Sequence, residues 1–307
     1  MNNPHNKNIS EDTTSNRKPE HPAWKTISEN QTRKLNFKGI ILIAASVSIF
    51  ISLGILNYTI SDKKNTSPAA VITPKAGIHI PKTELAESTN IKADMIGLIV
   101  YKGRIYTQTN TRIKPELAEK LLDKKLGTTK GNIDEWSKQK DYEVEFASTI
   151  GKTEVYSVKG YEESFRIMTY GKHDGTPYSE FFECFEEINV IKGSDIFDRL
   201  KIENNIKTVK QENFESWNHN KQEYGDFKDL EAINNFIKDL KNAVPYTQQS
   251  LSYLFNREGD ANQKFIYLNL SDGSEVQLQL FKEGYVFYGN SHLFFKMNGE
   301  AFNKIWN

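Results

Sequence analysis

FIYLNLSDGSEVQLQLFKEGYVFYGNSHLFFKM, residues 265–297, is the stretch that decides the fold. It divides into four apolar or aromatic runs: Phe265 to Leu270, Val276 to Phe281, Tyr285 to Tyr288 and Leu293 to Met297. Asp272-Gly273 supplies the tight turn between the first two. Successive strands joined by turns this short must pair antiparallel, because a parallel crossover needs a dozen residues or more. A closing helix is expected from about Gly299 to Trp306. The fold class that follows is α+β, mostly antiparallel sheet with a few packed helices.

The pattern extends upstream. Met95 to Tyr101 and Arg104 to Thr109 read as a hairpin turning at Lys102-Gly103. Pro115 suits a first helical position, Leu117, Ala118, Leu121 and Leu122 recur at helical spacing, and Gly127 would end that helix. Tyr142, Val144 and Phe146 alternate with polar residues and predict a strand, followed by strands at Thr153 to Lys159, Ser164 to Tyr170 and Tyr178 to Phe185. His173-Asp174-Gly175 is the turn into the last of these. Ser194 is expected to cap a short helix, Ile206 to Lys210 to form a strand, and Phe214 to Gly225 to be loop. Asp226 would cap a helix with Leu230, Ile233, Ile237 and Leu240 on one stripe, stopped by Pro245. The patterning over 78–307 fits one domain and two subdomains equally, with any boundary near 186–225.

At the other end of the chain, GIILIAASVSIFISLGILNYTI, Gly39 to Ile60, has no ionisable side chain. A helix of that length spans about 30 Å, the thickness of a bilayer's hydrocarbon core, so the α+β module is preceded by one transmembrane helix. Residues 1–38 have the composition of a disordered tail, and 61–77, SDKKNTSPAAVITPKAG, that of a linker. The apolar run starts too far from Met1 for a usual cleaved signal, which makes it a signal anchor. Lys25, Arg33, Lys34 and Lys38 precede it, and Lys63, Lys64 and Lys75 follow. With the size asymmetry this orients the tail to the cytoplasm and the module outside, on the cell membrane.

Of 307 residues, 40 are Lys or Arg and 40 Asp or Glu. The tail holds seven basic and four acidic residues, which leaves 33 against 36, or −3, for the rest. Neither sign predicts nucleic-acid binding. The single cysteine, Cys184, excludes an internal disulfide and reads as a buried small apolar residue. His79, His173, His219 and His292 are isolated, and neither HExxH nor CxxC occurs, so no metal is expected. Neither G-x-S-x-G nor a phosphate-binding glycine loop is present, so no cofactor and no catalytic residue is assigned. Glu143/Glu145, Glu162/Glu163 and Glu186/Glu187 are paired carboxylates of the kind a glycan hydrolase uses, and solubility explains them as well. Aromatics are in excess, with 18 Phe, 14 Tyr and 4 Trp. Tyr285, Phe287 and Tyr288 place rings on both faces of one strand, and are the expected partner-binding aromatics.

IPKTEL at 80–85, MIGLIVYKGRIYTQT at 95–109, KLGTTKGNIDEWS at 125–137, YSVKGYEESFRIMTY at 156–170 and the closing YGNSHLFFKMNGEAFNKIW resemble a set of uncharacterised single-pass membrane proteins of Gram-positive bacteria. The resemblance implies the anchor topology and a bacterial envelope location, and brings no functional residue with it. The function expected is therefore a membrane-anchored extracytoplasmic binding or sensing protein with a protein or cell-wall partner. The alternatives are an envelope hydrolase using paired carboxylates and a structural subunit of a membrane complex.

Overall fold

The computed structural model describes residues 77–83, 96–134 and 136–307. The expected tail, the Gly39 to Ile60 helix and all of the linker but Gly77 lie outside the described residues. Among those described, no helix is long and apolar enough to cross a membrane.

The strands of the first half are β1 (Ile78–Ile80), β2 (Leu98–Tyr101), β3 (Arg104–Gln108), β4 (Arg112–Ile113), β5 (Leu122–Thr128), β6 (Glu154–Val158), β7 (Arg166–His173), β8 (Thr176–Glu183) and β9 (Ile188–Val190), with helix α1 (Pro115–Ala118) before β5. The second half runs α2 (Ser194–Phe197), β10 (Ile206–Asn213), α3 (Phe214–Asn218), β11 (Tyr224–Phe227), α4 (Leu230–Asn242), β12 (Val244–Thr247), β13 (Gln263–Leu270), β14 (Ser274–Phe281), β15 (Tyr285–Tyr288), β16 (Leu293–Lys296) and α5 (Gly299–Trp306). Every strand pair is antiparallel, and helices are few, as the residue patterning predicts.

The meander forms the centre of an eight-stranded sheet ordered β11-β10-β13-β14-β15-β16-β12, with β4 beside β14. One face carries Ile266, Leu268, Val276, Leu278, Leu280, Val286 and Phe295, and against it pack Ile233, Phe236, Ile237 and Leu240 of α4 and Phe302 and Ile305 of α5. Fully burying each such side chain contributes roughly 1.5–3 kcal/mol, which makes this interface the main hydrophobic core. Asp229, not Asp226, caps α4, its carboxylate accepting from the Ala232 amide at 2.9 Å. Asp226 is instead in β11, opposite Lys210. Pro245 follows α4 inside β12, an edge strand where a missing N–H leaves no ladder bond unmade.

The first half builds a second, six-stranded sheet ordered β2-β3-β8-β7-β6-β5. Residues 146–148 join its edges: the Val100 amide donates to Ala147 O and the Phe146 amide to Val100 O on one side, while the Lys130 and Ile133 amides donate to Phe146 O and Ser148 O on the other. The sheet thereby curls into a small barrel around Ile99, Tyr106, Val155, Ile167, Phe182 and Cys184.

Five local expectations are corrected here. The helix at Pro115 lasts one turn and a 3-10 turn, Glu119–Leu121, before Leu122 becomes extended, because pairing with β6 outweighs the local spacing of leucines. Gly127 makes room rather than a cap, since a Cβ there would collide with the Phe146 ring. Residues 139–143 form a 3-10 turn and Phe146 has φ +60°, so no strand runs through 142–146. At α2 the capping position is Gly193, and Asp195 takes the free amides of Ile191 and Lys192 at 2.7 and 3.0 Å. Finally, the segment expected as loop, 214–225, contains α3 and the start of β11.

The two sheets meet at a buried polar knot. Arg166 donates from Nε and Nη2 to Glu183 Oε1 at 3.1 and 2.5 Å, and the Tyr288 hydroxyl donates to Glu183 Oε2 at 2.6 Å. The guanidinium also lies 4.3 Å from the Tyr161 ring centroid and 4.9 Å from that of Phe181. Burial opposes the Arg166 charge, but Glu183 outweighs it and holds the guanidinium protonated. Burial, then Glu183, drives the Tyr288 hydroxyl well above its ordinary range.

Candidate interaction face

The expected partner-binding aromatics fill the protein's own core. Tyr285 and Phe287 are 8% and 9% exposed and pack with Tyr246, Leu251, Leu254, Phe281 and Phe294. Tyr288, 1% exposed, points to the opposite face and into the polar knot. Rings on both faces of β15 reflect a strand covered on both faces, which leaves no ring of this strand for a partner.

The outer face of the same sheet is open at its other end. Lys210, Tyr267 and Gln277 share one row across β10, β13 and β14, because antiparallel partners point to the same side. Asn269, Glu275 and Arg112 share the next. Beneath the first row Glu212, buried, accepts the Tyr267 hydroxyl at 2.5 Å on one oxygen and the Ser216 hydroxyl at 2.7 Å on the other. Ser216 Oγ in turn accepts the Glu223 amide at 2.9 Å, which fixes the entry to β11.

On this floor stands Tyr224. Its ring meets that of Tyr267 edge to face, centroids 5.3 Å apart, while 39% of the residue remains exposed. Lys210 Nζ lies 5.2 Å from the Tyr224 centroid, within cation–π range. Burial, then the Glu212 charge, raises the Tyr224 hydroxyl above its ordinary value, so it remains a neutral donor at physiological pH. The Asn269 amide nitrogen is buried in this face without a hydrogen-bond acceptor. The residue patterning missed this corner because it takes 214–225 for loop. The signal present is the alternation Tyr224-Gly225-Asp226-Phe227 facing Val209 to Glu212.

One carboxylate of each pair is engaged in structure. Glu145 accepts the Lys102 amide at 2.9 Å, and the buried Glu186 accepts the amides of Thr83 and Ile105 at 2.9 and 3.2 Å. Glu163 holds Lys102 and the Tyr101 hydroxyl at 2.5 and 2.7 Å, at the side of a depression of about 190 Å³ lined also by Arg104, Tyr106, Glu162 and Ser164. Lys102, then Tyr101, holds the Glu163 carboxyl below the usual range, opposite to what a general acid needs. Cys184 is 1% exposed and burial pushes its thiol up to about 11, which keeps it protonated and unreactive. His79 and His292 hydrogen-bond Asn189 and Gln248, and His219 lies beside Glu215. Among the described residues no three His, Cys, Asp or Glu side chains come together to hold a metal ion.

Set against protein-family models, curated proteins and solved structures, the chain finds no match in any of the three.

Proposed function

We propose that the protein is a membrane-anchored binding protein of the bacterial cell envelope, tail inside and module outside, which engages its partner through the open corner of the large sheet. The observation that carries this reading is the exposed Tyr224 with Lys210 beside it, standing on a floor held rigid by Tyr267, Glu212 and Ser216. A tyrosine and a cation immobilised before binding are what interface hot spots consist of, since little side-chain freedom is then lost on association. The apolar stretch Gly39 to Ile60 supports the anchor, and the basic residues before it support the orientation.

A photo-crosslinking amino acid placed at 224 in the full chain, in cells of the native host, tests the reading. Crosslinks to one envelope component from 224, and none from the exposed turn residue Asp174, are expected. Equal crosslinking from both positions, or none from 224, overturns the binding face. A C-terminal reporter that works only in the cytoplasm is expected to be silent, and activity there overturns the orientation.

A further inference from the structure

We infer that the partner is an extended protein segment that adds as a further strand to the free edge of β11, an inference that rests on the binding-face reading above. The two large sheets end in β11, β12, β2 and β5, and three of these edges are blunted. Residues 146–148 bond to β2, β5 is interrupted by two shifts of register against β6, and β12 carries Pro245. The edge at β11 is left plain. The strand has neither proline nor lysine, its pairing with β10 runs without a shift, and β10 is its only strand neighbour among the described residues. In an antiparallel pair alternate residues exchange both backbone bonds with one neighbour, so the residues between them turn their N–H and C=O groups outward. An extended polypeptide repeats donors and acceptors at that same spacing, which a glycan does not.

Gly225 indicates what that segment brings. A glycine inside a strand weakens it and marks a bulge, a bend or the close approach of another chain. Here the backbone lies outside the left-handed region, the ladder to β10 has no bulge, and a Cβ added at 225 would meet nothing within 4 Å. Neither the conformation nor the packing of the described residues requires glycine, so its use lies in what approaches from outside. The residue is on the helix-covered side, in one row with Gln211 and Ile266, and Phe227 on the same side is only half-buried against the main core. A large apolar side chain on the incoming strand would fill the space at Gly225 and complete the cover over Phe227. On the opposite side Tyr224 and Asp226 would stand beside it. A second copy of this chain fits less well. Paired about Gly225 it sets glycine against glycine and leaves the space empty, and paired about Asp226 it opposes two carboxylates.

The test starts from the full chain carrying the photo-crosslinking amino acid at 224 in host cells. The crosslinked segment is mapped by mass spectrometry, made as a synthetic peptide and titrated against the full chain in detergent, with amide hydrogen exchange read over 224–227. Slower exchange in β11 is expected on binding. Methylating alternate peptide nitrogens should weaken binding about tenfold or more in one phase and leave it unchanged in the other, since one set faces β11 and the other faces solvent. Gly225→Val should weaken binding by a similar factor and leave the unfolding midpoint equal or higher, because valine favours a strand and the space is open. An adduct that is a glycan, a lipid or a second copy of this chain overturns the inference and leaves the binding face standing. Equal affinity of the two methylated peptides, or full affinity of Gly225→Val, does the same. No adduct from 224 overturns the binding face itself, and the inference with it.

Discussion

The two ends of the large sheet's outer face carry similar residues and have opposite fates. At the β15–β16 end, Tyr285, Phe287 and Phe294 lie beneath the 3-10 segment Gln249–Leu254 and the Phe255 ring, which approaches Phe287 and Phe294 at centroid distances of 5.1 and 5.3 Å. At the β10–β11 end α3 covers Phe265 through Trp217, stacked at 4.4 Å, and leaves Tyr224 exposed with Lys210 half-buried beside it. Aromatic content therefore does not mark an interaction face. What marks it is whether a neighbouring segment lies over the rings, and that is set by residues remote in sequence.

The comparison can be broken at several points. Phe294→Ala, at the covered end, should cost about 3–5 kcal/mol by urea unfolding, because the ring is fully buried and its removal leaves a cavity among Phe255, Phe281 and Phe287. Arg166→Met should cost a similar amount, about 3–5 kcal/mol, since it strands the buried Glu183 charge between the two sheets. At the open end the expected losses fall. Glu212→Ala removes the acceptor for Tyr267 and Ser216, and about 1–3 kcal/mol is expected. Tyr224→Ala should change stability by no more than about 0.5 kcal/mol, as substitutions at exposed positions do. A loss there as large as at Phe294 would make Tyr224 a core residue and remove the distinction.

Acid titration gives a further, smaller check. Burial would raise the Asp272 carboxyl, but hydrogen bonds from Ser274 and from the Tyr161 hydroxyl at 2.7 Å outweigh it and hold the group below its ordinary value. A depressed folded-state pKa contributes stability that is present above the unfolded pKa and is lost as pH falls through the folded one. Asp272→Asn should therefore lower stability at pH 7, where that contribution is fully present, and change it little well below about pH 4, which flattens the acid limb of the stability curve. An unchanged acid limb would show that Asp272 does not couple folding to protonation.

Most of the meander was legible because its determinants are local. Asp272-Gly273 and the period-two alternation of 265–281 specify a hairpin without outside help. The segment 115–128 was misleading for the opposite reason. Leu117, Leu121 and Leu122 satisfy one helical turn, but Leu122 to Thr128 pairs with β6, some thirty residues away, and Phe146 needs the space at Gly127. Tyr285 to Tyr288 shows the limit of residue counting, since its rings do lie on both faces, yet the segments that cover them come from elsewhere in the chain. The Tyr224 corner was hidden because β11 exists only through its pairing with β10 and the Ser216 bond to Glu223.

The measurement that bears most directly on the open corner is the crosslinking yield from position 224 in cells, compared between Lys210 and Lys210→Glu chains of equal abundance. If this corner is the binding face, reversing the neighbouring charge should cut the yield about tenfold, while unfolding stability falls by no more than about 1 kcal/mol from the new charge facing Asp226. An equal yield from both chains would contradict the account.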